Sequence, residues 1–556
     1  MRPLVVPLLL LSWANLAHAE LLPGFLDSHE NERRLPAANL PVDAYRPVAP
    51  DLRLALPVAK QAAAMPSDTR LVLHKVRFEG GTVYPLSDLR EHYQPLIGRE
   101  TTFGELQQFT DRLTQRYQRD GYLLSYAYLP PQDLTDGRVQ VVLVEGYIHD
   151  YRLEGDIGPA ADYLEQLLTR LRAERPLTRK TLDHYLGLAE RVPGIAIEAE
   201  LPPTGQTDGA TELTVRARRT PFGAALTLSD GSRDGPQALL GVSSRSQTRF
   251  AEQFAASIVL PPGDEHTHYQ HVEYSQYLDA EGSQLLLSAT RYRSEPHTRV
   301  RLDHGGTLTQ HRESDRYAIG LSQPVTVAPD EWLVVAGHFY AVSEHIEGRP
   351  EQGTPARNNA TSLRALSFGG DWRQADPRRL RIVSAGVHQG LDYLGGHSDA
   401  DYDLDFLRLR LSGLQSDQLF DNWQGVVSGA LYWSDDKLPD SERAGFGGQN
   451  FGRGYPREQA AGDKGWGVAY ELNYSFHPDG PWLKHVQPYA VIDSARAWYN
   501  AGHFEDARLT SAALGVRLGD GRRGSVAVEV AKPLADVALD SLDRGPRWTL
   551  TFSFQP

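Results

Sequence analysis

From residue 220 to Pro556 apolar and polar side chains alternate with a period of two. In "GVAYELNYSF", Val468, Tyr470, Leu472, Tyr474 and Phe476 share one face, and Ala469, Glu471, Asn473 and Ser475 share the other. "FLRLRLS" sets Leu407, Leu409 and Leu411 against Arg408 and Arg410; "SVAVEVA" sets Val526, Val528 and Val530 against Glu529; "RWTLTFSF" sets Trp548, Leu550, Phe552 and Phe554 against Thr549, Thr551 and Ser553. A period of two means strands with two unlike faces, here one for lipid and one for water. So long a run without helical period exceeds a usual single sandwich. At about 10 residues per spanning strand plus a loop of similar length, it predicts a transmembrane antiparallel β-barrel of about 16 strands. The 25 tyrosines suit the interfacial girdles of such a barrel.

The other end of the chain carries an address. "MRPLVVPLLLLSWANLAHAE" has a basic start at Arg2, an apolar run from Leu8 to Leu11 and the small-residue site Ala17-His18-Ala19, so residues 1–19 read as a signal peptide. A membrane anchor needs roughly 20 apolar residues, and this run is interrupted by Pro7, Ser12, Asn15 and His18. The chain has no cysteine, so an exported product is held by its cores or by a membrane rather than by disulfides. Its formal charge of -14 argues against a nucleic-acid binder. Residues 20–36 have the leucine and charge of a short helix, and residues 37–70 are a Pro-rich linker.

Residues 71–147 and 148–219 are two copies of one small α+β domain. "VRFEGG" at Val76 matches "YRLEGD" at Tyr151, "LPP" at Leu129 matches "LPP" at Leu201, and Asp136-Gly137 matches Asp208-Gly209, with a small indel in the helices between. Each copy reads strand, helix, helix, strand, strand (β-α-α-β-β). In the first, Thr102 and Glu105 have capping-box spacing; Phe103, Leu106, Phe109, Leu113 and Tyr117 form an apolar stripe; Gly121 is the stop. Three strands under two helices leave a sheet edge that can accept an extended peptide.

Between barrel strands lies "GFGGQNFGRGYPREQ", which sets Arg453 between Gly452 and Gly454, with Tyr455 next. Gly447 and Gly452 have the separation of a phosphate loop, but Arg453 and Gly454 stand where Lys and Ser/Thr belong, which rejects nucleotide binding. The backbone is permissive around one cation and two aromatic rings, as if it approaches something closely. Elsewhere there is no H-E-x-x-H, no G-x-S-x-G and no ligand spacing among the 19 histidines, so the expectation is no catalytic residue, no cofactor and no metal.

With its signal peptide, short helix, linker, two β-α-α-β-β modules and C-terminal barrel, the mature chain resembles the outer-membrane transporters of bacterial two-partner secretion, a family of haemolysin and adhesin secretion-activation proteins. The resemblance implies that the modules are periplasmic POTRA domains that recognise a large secreted exoprotein, and that the helix at 20–36 plugs the pore. It implies an inward-folded sixth extracellular loop whose Arg-Gly-aromatic motif is here Arg453-Gly454-Tyr455, with Gly452 in place of the usual valine. It also implies that Arg453 pairs with Asp493 on a barrel strand, where Ile492 and Ala495 depart from the family pattern. The expected protein is a monomeric, lipid-embedded translocation pore with no nucleic-acid partner and no covalent chemistry. A barrel-assembly insertase of the same superfamily is the alternative, and a passive porin or a structural barrel the more distant ones.

Overall fold

A computed structural model of the 556-residue chain describes residues 39–41, 44, 51–56, 66–203, 208–231, 236–260, 267–294, 300–301, 307–350, 357–449, 451–480, 483–500, 506–520 and 523–555. The signal peptide and the helix at 20–36 lie outside the described residues.

The first module runs β2 (Lys75–Glu79), α1 (Leu86–Tyr93), α2 (Phe103–Arg119), β3 (Tyr126–Tyr128) and β4 (Arg138–Val144). Helix α2 starts where its capping box says: Thr102 Oγ1 accepts the Glu105 N–H at 3.2 Å and Glu105 Oε2 accepts the Thr102 N–H at 3.2 Å. Its stripe of Phe103, Leu106, Phe109, Leu113 and Tyr117 is buried against Val76, Val139, Val141 and Leu143 of the sheet. The second module repeats the order with β5 (Tyr147–Glu154), α3 (Ala161–Ala173), α4 (Arg179–Glu190), β6 (Ile195–Leu201) and β7 (Ala210–Arg219). The indel is visible as a first helix of 8 residues in one copy and 13 in the other.

In both sheets the first and last strands are parallel and the middle one antiparallel: β2 pairs with β4 at Val76↔Val139 and β5 with β7 at Leu153↔Val215. The edges differ. The outer edge of β6 is occupied by a strand from the Pro-rich segment, β1 (Asp51–Leu54), in parallel register from Asp51↔Glu198 to Leu54↔Leu201. Leu52 and Leu54 pack against the module core. The edge read as open in the sequence is therefore filled, in this module, by the chain itself.

Sixteen antiparallel strands then close a barrel: β8 (Phe222–Gly231), β9 (Gln237–Arg245), β10 (Gln253–Leu260), β11 (His268–Tyr277), β12 (Gln284–Ser294), β13 (Thr307–Val327), β14 (Glu331–Pro350), β15 (Arg357–Asp376), β16 (Arg379–Leu391), β17 (Leu407–Phe420), β18 (Trp423–Trp433), β19 (Lys464–Tyr474), β20 (His485–Trp498), β21 (Ala507–Gly519), β22 (Gly524–Pro533) and β23 (Arg547–Phe554). The seam joins β23 to β8 from Leu226↔Phe554 to Gly231↔Thr549. Closure removes the free edges that lipid could not solvate. The two faces sort as the alternation requires. Leu407, Leu409, Leu411, Val468, Tyr470, Val528, Val530 and Trp548 are exposed on the outer wall, while Arg408, Arg410, Asn473, Glu529 and Thr551 are buried on the inner one. Strands β13, β14 and β15 are 21, 20 and 20 residues long, about twice what a bilayer needs, and their excess projects from the rim opposite the modules.

The second module is part of the barrel's own packing. Ala251, Tyr277, Ala280, Val327 and Trp332, from the module-side rim of the barrel, join the apolar core of Leu164, Leu167, Leu186 and Leu188. The Tyr163 and Tyr277 rings stack at 4.5 Å, the Arg191 guanidinium lies 4.0 Å above the Trp332 ring, and the Tyr277 hydroxyl donates to the Arg191 carbonyl at 3.2 Å.

Candidate functional site in the barrel lumen

Residues 434–463, between β18 and β19, fold into the barrel and not away from it. Ala444–Phe446 pairs with Ala460–Gly462 as a short hairpin, and Phe446, Phe451 and Tyr455 are buried with Tyr432, Ala495, Ala497 and Leu509 of the wall. Glycine is required at several places, two of them on either side of Arg453. Gly452 has φ +110°, and a Cβ on Gly454 would lie 2.5 Å from the Pro533 nitrogen on β22. Tyr455 is anchored by its hydroxyl, which donates to the Thr510 carbonyl and accepts the Ala535 N–H, each at 3.1 Å.

The Arg453 guanidinium reaches two carboxylates. Its Nη2 lies 3.2 Å from Glu471 Oε2 on β19, and its Nη1 donates to Glu529 on β22. Asp493, the partner expected from the resemblance, lies on the inner wall of β20 and is only 3% exposed, with Ile492 turned outward to lipid. It takes a different part of the same residue: one oxygen accepts the Arg453 backbone N–H at 3.2 Å and the other accepts the Ser511 hydroxyl at 2.6 Å. The turn at Gly452 spends the aspartate on the main chain, and the long side chain passes beyond it to the two glutamates. The expected side-chain pair with Asp493 is thus replaced by a backbone bond.

A second cation completes the cluster. Arg517 on β21 donates to both oxygens of Glu471 at 2.8 and 3.1 Å and lies 4.0 Å over the Tyr489 ring; the Tyr489 hydroxyl donates to Glu529 at 2.9 Å. Asn39 sits on the same hub, accepting from Arg517 Nε at 2.8 Å and donating to the Tyr489 hydroxyl at 2.9 Å. Glu471, Glu529 and Arg517 were missed in the sequence, although each is a charged residue on the water-facing side of an otherwise apolar strand, which is the signal that finds them. Two guanidiniums shared between two carboxylates out of bulk water form a rigid fastening. Among the described residues no group of three or more His, Asp or Glu side chains has metal-holding geometry.

A closed barrel, a lumen crossed by a fastened loop and paired small domains at one mouth define an outer-membrane transport barrel. Residues 71–146 match the model of the POTRA domain, ShlB-type, and residues 357–518 match that of the haemolysin secretion/activation protein ShlB/FhaC/HecB. The outer membrane transporter CdiB of Dickeya dadantii is 23% identical over 477 residues, covering 80% of this chain and 79% of that one. The solved structure of CdiB from Escherichia coli superposes with a TM-score of 0.68 at 19% identity, over 91% of this chain and 94% of that one; CdiB from Acinetobacter baumannii gives 0.61 at 16% identity, over 92% and 95%. Together these matches support an outer-membrane transporter of the ShlB/FhaC type with a POTRA domain. The chain resides in the outer membrane with its modules in the periplasm, so the rim bearing the long strands is extracellular.

Proposed function

We propose that this protein recognises one large exoprotein in the periplasm and threads it, unfolded, through its own barrel to the cell surface, with no covalent chemistry. Members of the family are transporters, not enzymes. The observation that carries the reading is the lumenal loop, a removable obstruction fastened by ion pairs across the path a polypeptide would take. An inert barrel has no use for such a device.

In this reading the exoprotein's leading segment adds as a strand to a module sheet. The β6 edge already holds β1, so capture there displaces the chain's own strand, and main-chain hydrogen bonds are exchanged rather than newly made. Release of β1 frees the segment that leads to Asn39 and so to the Arg517–Tyr489 hub. The loop opens last, and folding of the exoprotein outside supplies the driving force. The closed seam between β23 and β8 favours a monomer that conducts through its lumen over an insertase that works through a lateral opening.

Arg453→Ala tests the reading. Export of the partner is expected to fall at least tenfold while the barrel still inserts and remains heat-modifiable on gels. Normal export by a stably inserted variant would remove the loop from the mechanism.

A further inference from the structure

The loop carries charges of opposite sign to two separate stretches of the lumen wall. Strands β13 to β17 turn Arg312, Arg316, Arg373, Arg408 and Arg410 inward, with Glu344 3.2 Å from Arg312. Strands β19 to β22 turn Glu471, Asp493 and Glu529 inward, with Arg517 2.8 Å from Glu471. Arg453, near the loop's tip, meets Glu471 and Glu529. At the loop's base, eleven residues earlier, Glu442 meets Arg408 and Arg316.

Glu442 is 1% exposed. Its Oε2 lies 3.0 Å from Arg408 Nη1, and the same nitrogen donates to the Glu442 carbonyl at 2.8 Å. Its Oε1 accepts the Tyr340 hydroxyl at 3.1 Å, and Arg316, whose guanidinium lies 4.0 Å over the Tyr340 ring, approaches to 3.9 Å. Leu438, fully buried, packs beside this clasp with Tyr340, Val342, Leu363 and Phe406. Asp463 ties the two ends of the loop, accepting the Leu438 N–H at 3.0 Å.

We propose that Glu442 is a positioning residue that clamps the base of the loop to β13, β14 and β17, so that the loop opens as a hinged lid: the Arg453 contacts break while the Glu442 contacts hold. The proposal rests on reading the loop as the pore's lid. Opposite polarity at the two clamps fixes which end meets which wall, because exchanging the ends would set like charges against each other.

The chain lacks cysteine, so Gln449→Cys gives one reporter within the loop. Its reaction rate with a membrane-impermeant maleimide on intact outer membranes reads how often the loop leaves the wall, and planar-bilayer recordings of the same full-length proteins read the open pore. Glu442→Gln is expected to raise labelling at least tenfold and to replace discrete openings by an ill-defined conductance. Arg408 offers both of its contacts from one nitrogen, which an ammonium can imitate; Arg408→Lys is therefore expected to label within about threefold of the parent and Arg408→Gln as fast as Glu442→Gln. An inserted Glu442→Gln protein that labels and conducts like the parent overturns the clamp, as does equal behaviour of the two Arg408 variants. If Glu442→Gln does not insert, Tyr340→Phe decides: a severalfold rise in labelling supports the clamp and an unchanged rate overturns it. A freed loop with undiminished secretion would instead refute the lid reading and leave the clamp standing.

Discussion

Arg453 divides its bonding between main chain and side chain, and the two halves predict different mutant behaviour. Glu471 serves both Arg453 and Arg517, so Glu471→Gln leaves two buried guanidiniums short of charge, a loss of about 3–5 kcal/mol if the cluster stays dry. Asp493→Asn keeps an oxygen able to accept the Arg453 N–H and leaves both glutamates on the guanidinium. Channel recordings are therefore expected to show more frequent openings for Glu471→Gln than for Asp493→Asn. The reverse order would return the guanidinium to Asp493. Arg453 itself was legible because glycines on both sides of an arginine serve little else than close approach. Its partners were not: they lie 18 and 76 residues along the chain, on strands that meet only when the barrel closes.

At the level of elements, the second module holds a titratable joint. Burial pushes the Glu190 carboxyl at the end of α4 up to about 7, against the pull of the Ile197 N–H and Arg191, and with Asp51 on β1 adding to the rise. A carboxyl raised above its unfolded value binds more protons in the folded state, so its contribution is complete below about pH 4.5 and is lost as pH climbs through 7. Hydrogen exchange of α4 and β6 in the full-length protein, corrected for intrinsic chemistry, is expected to show opening easier at pH 8 than at pH 5 by on the order of 2 kcal/mol. Glu190→Gln should flatten the difference, and an unchanged slope in that variant would assign it elsewhere. The helices of both modules were readable from stripes and caps, since those signals are local. Strand β1 was not: four residues in a Pro-rich segment form a strand only because β6 offers an edge and Leu52 and Leu54 find the core beneath it.

Over the whole molecule, the alternation that announces the barrel survives because lipid and water impose it on every strand, whatever the loops do. What alternation does not encode is how modules and barrel meet. The docking of Tyr163 on Tyr277 and Arg191 on Trp332 joins residues on separate domains whose sequence patterns each look complete alone. That joint fixes the second module at the pore mouth, so a segment captured on its sheet is held close to the lumen. The central claim is dedicated export of a single partner, and it is tested most directly by quantitative proteomics of the medium, cell surface and outer membrane with the gene deleted and then restored. The expected result is the loss and return of one very large exoprotein with other outer-membrane barrels unchanged. A broad fall across many barrels would contradict it and make the protein an assembly factor.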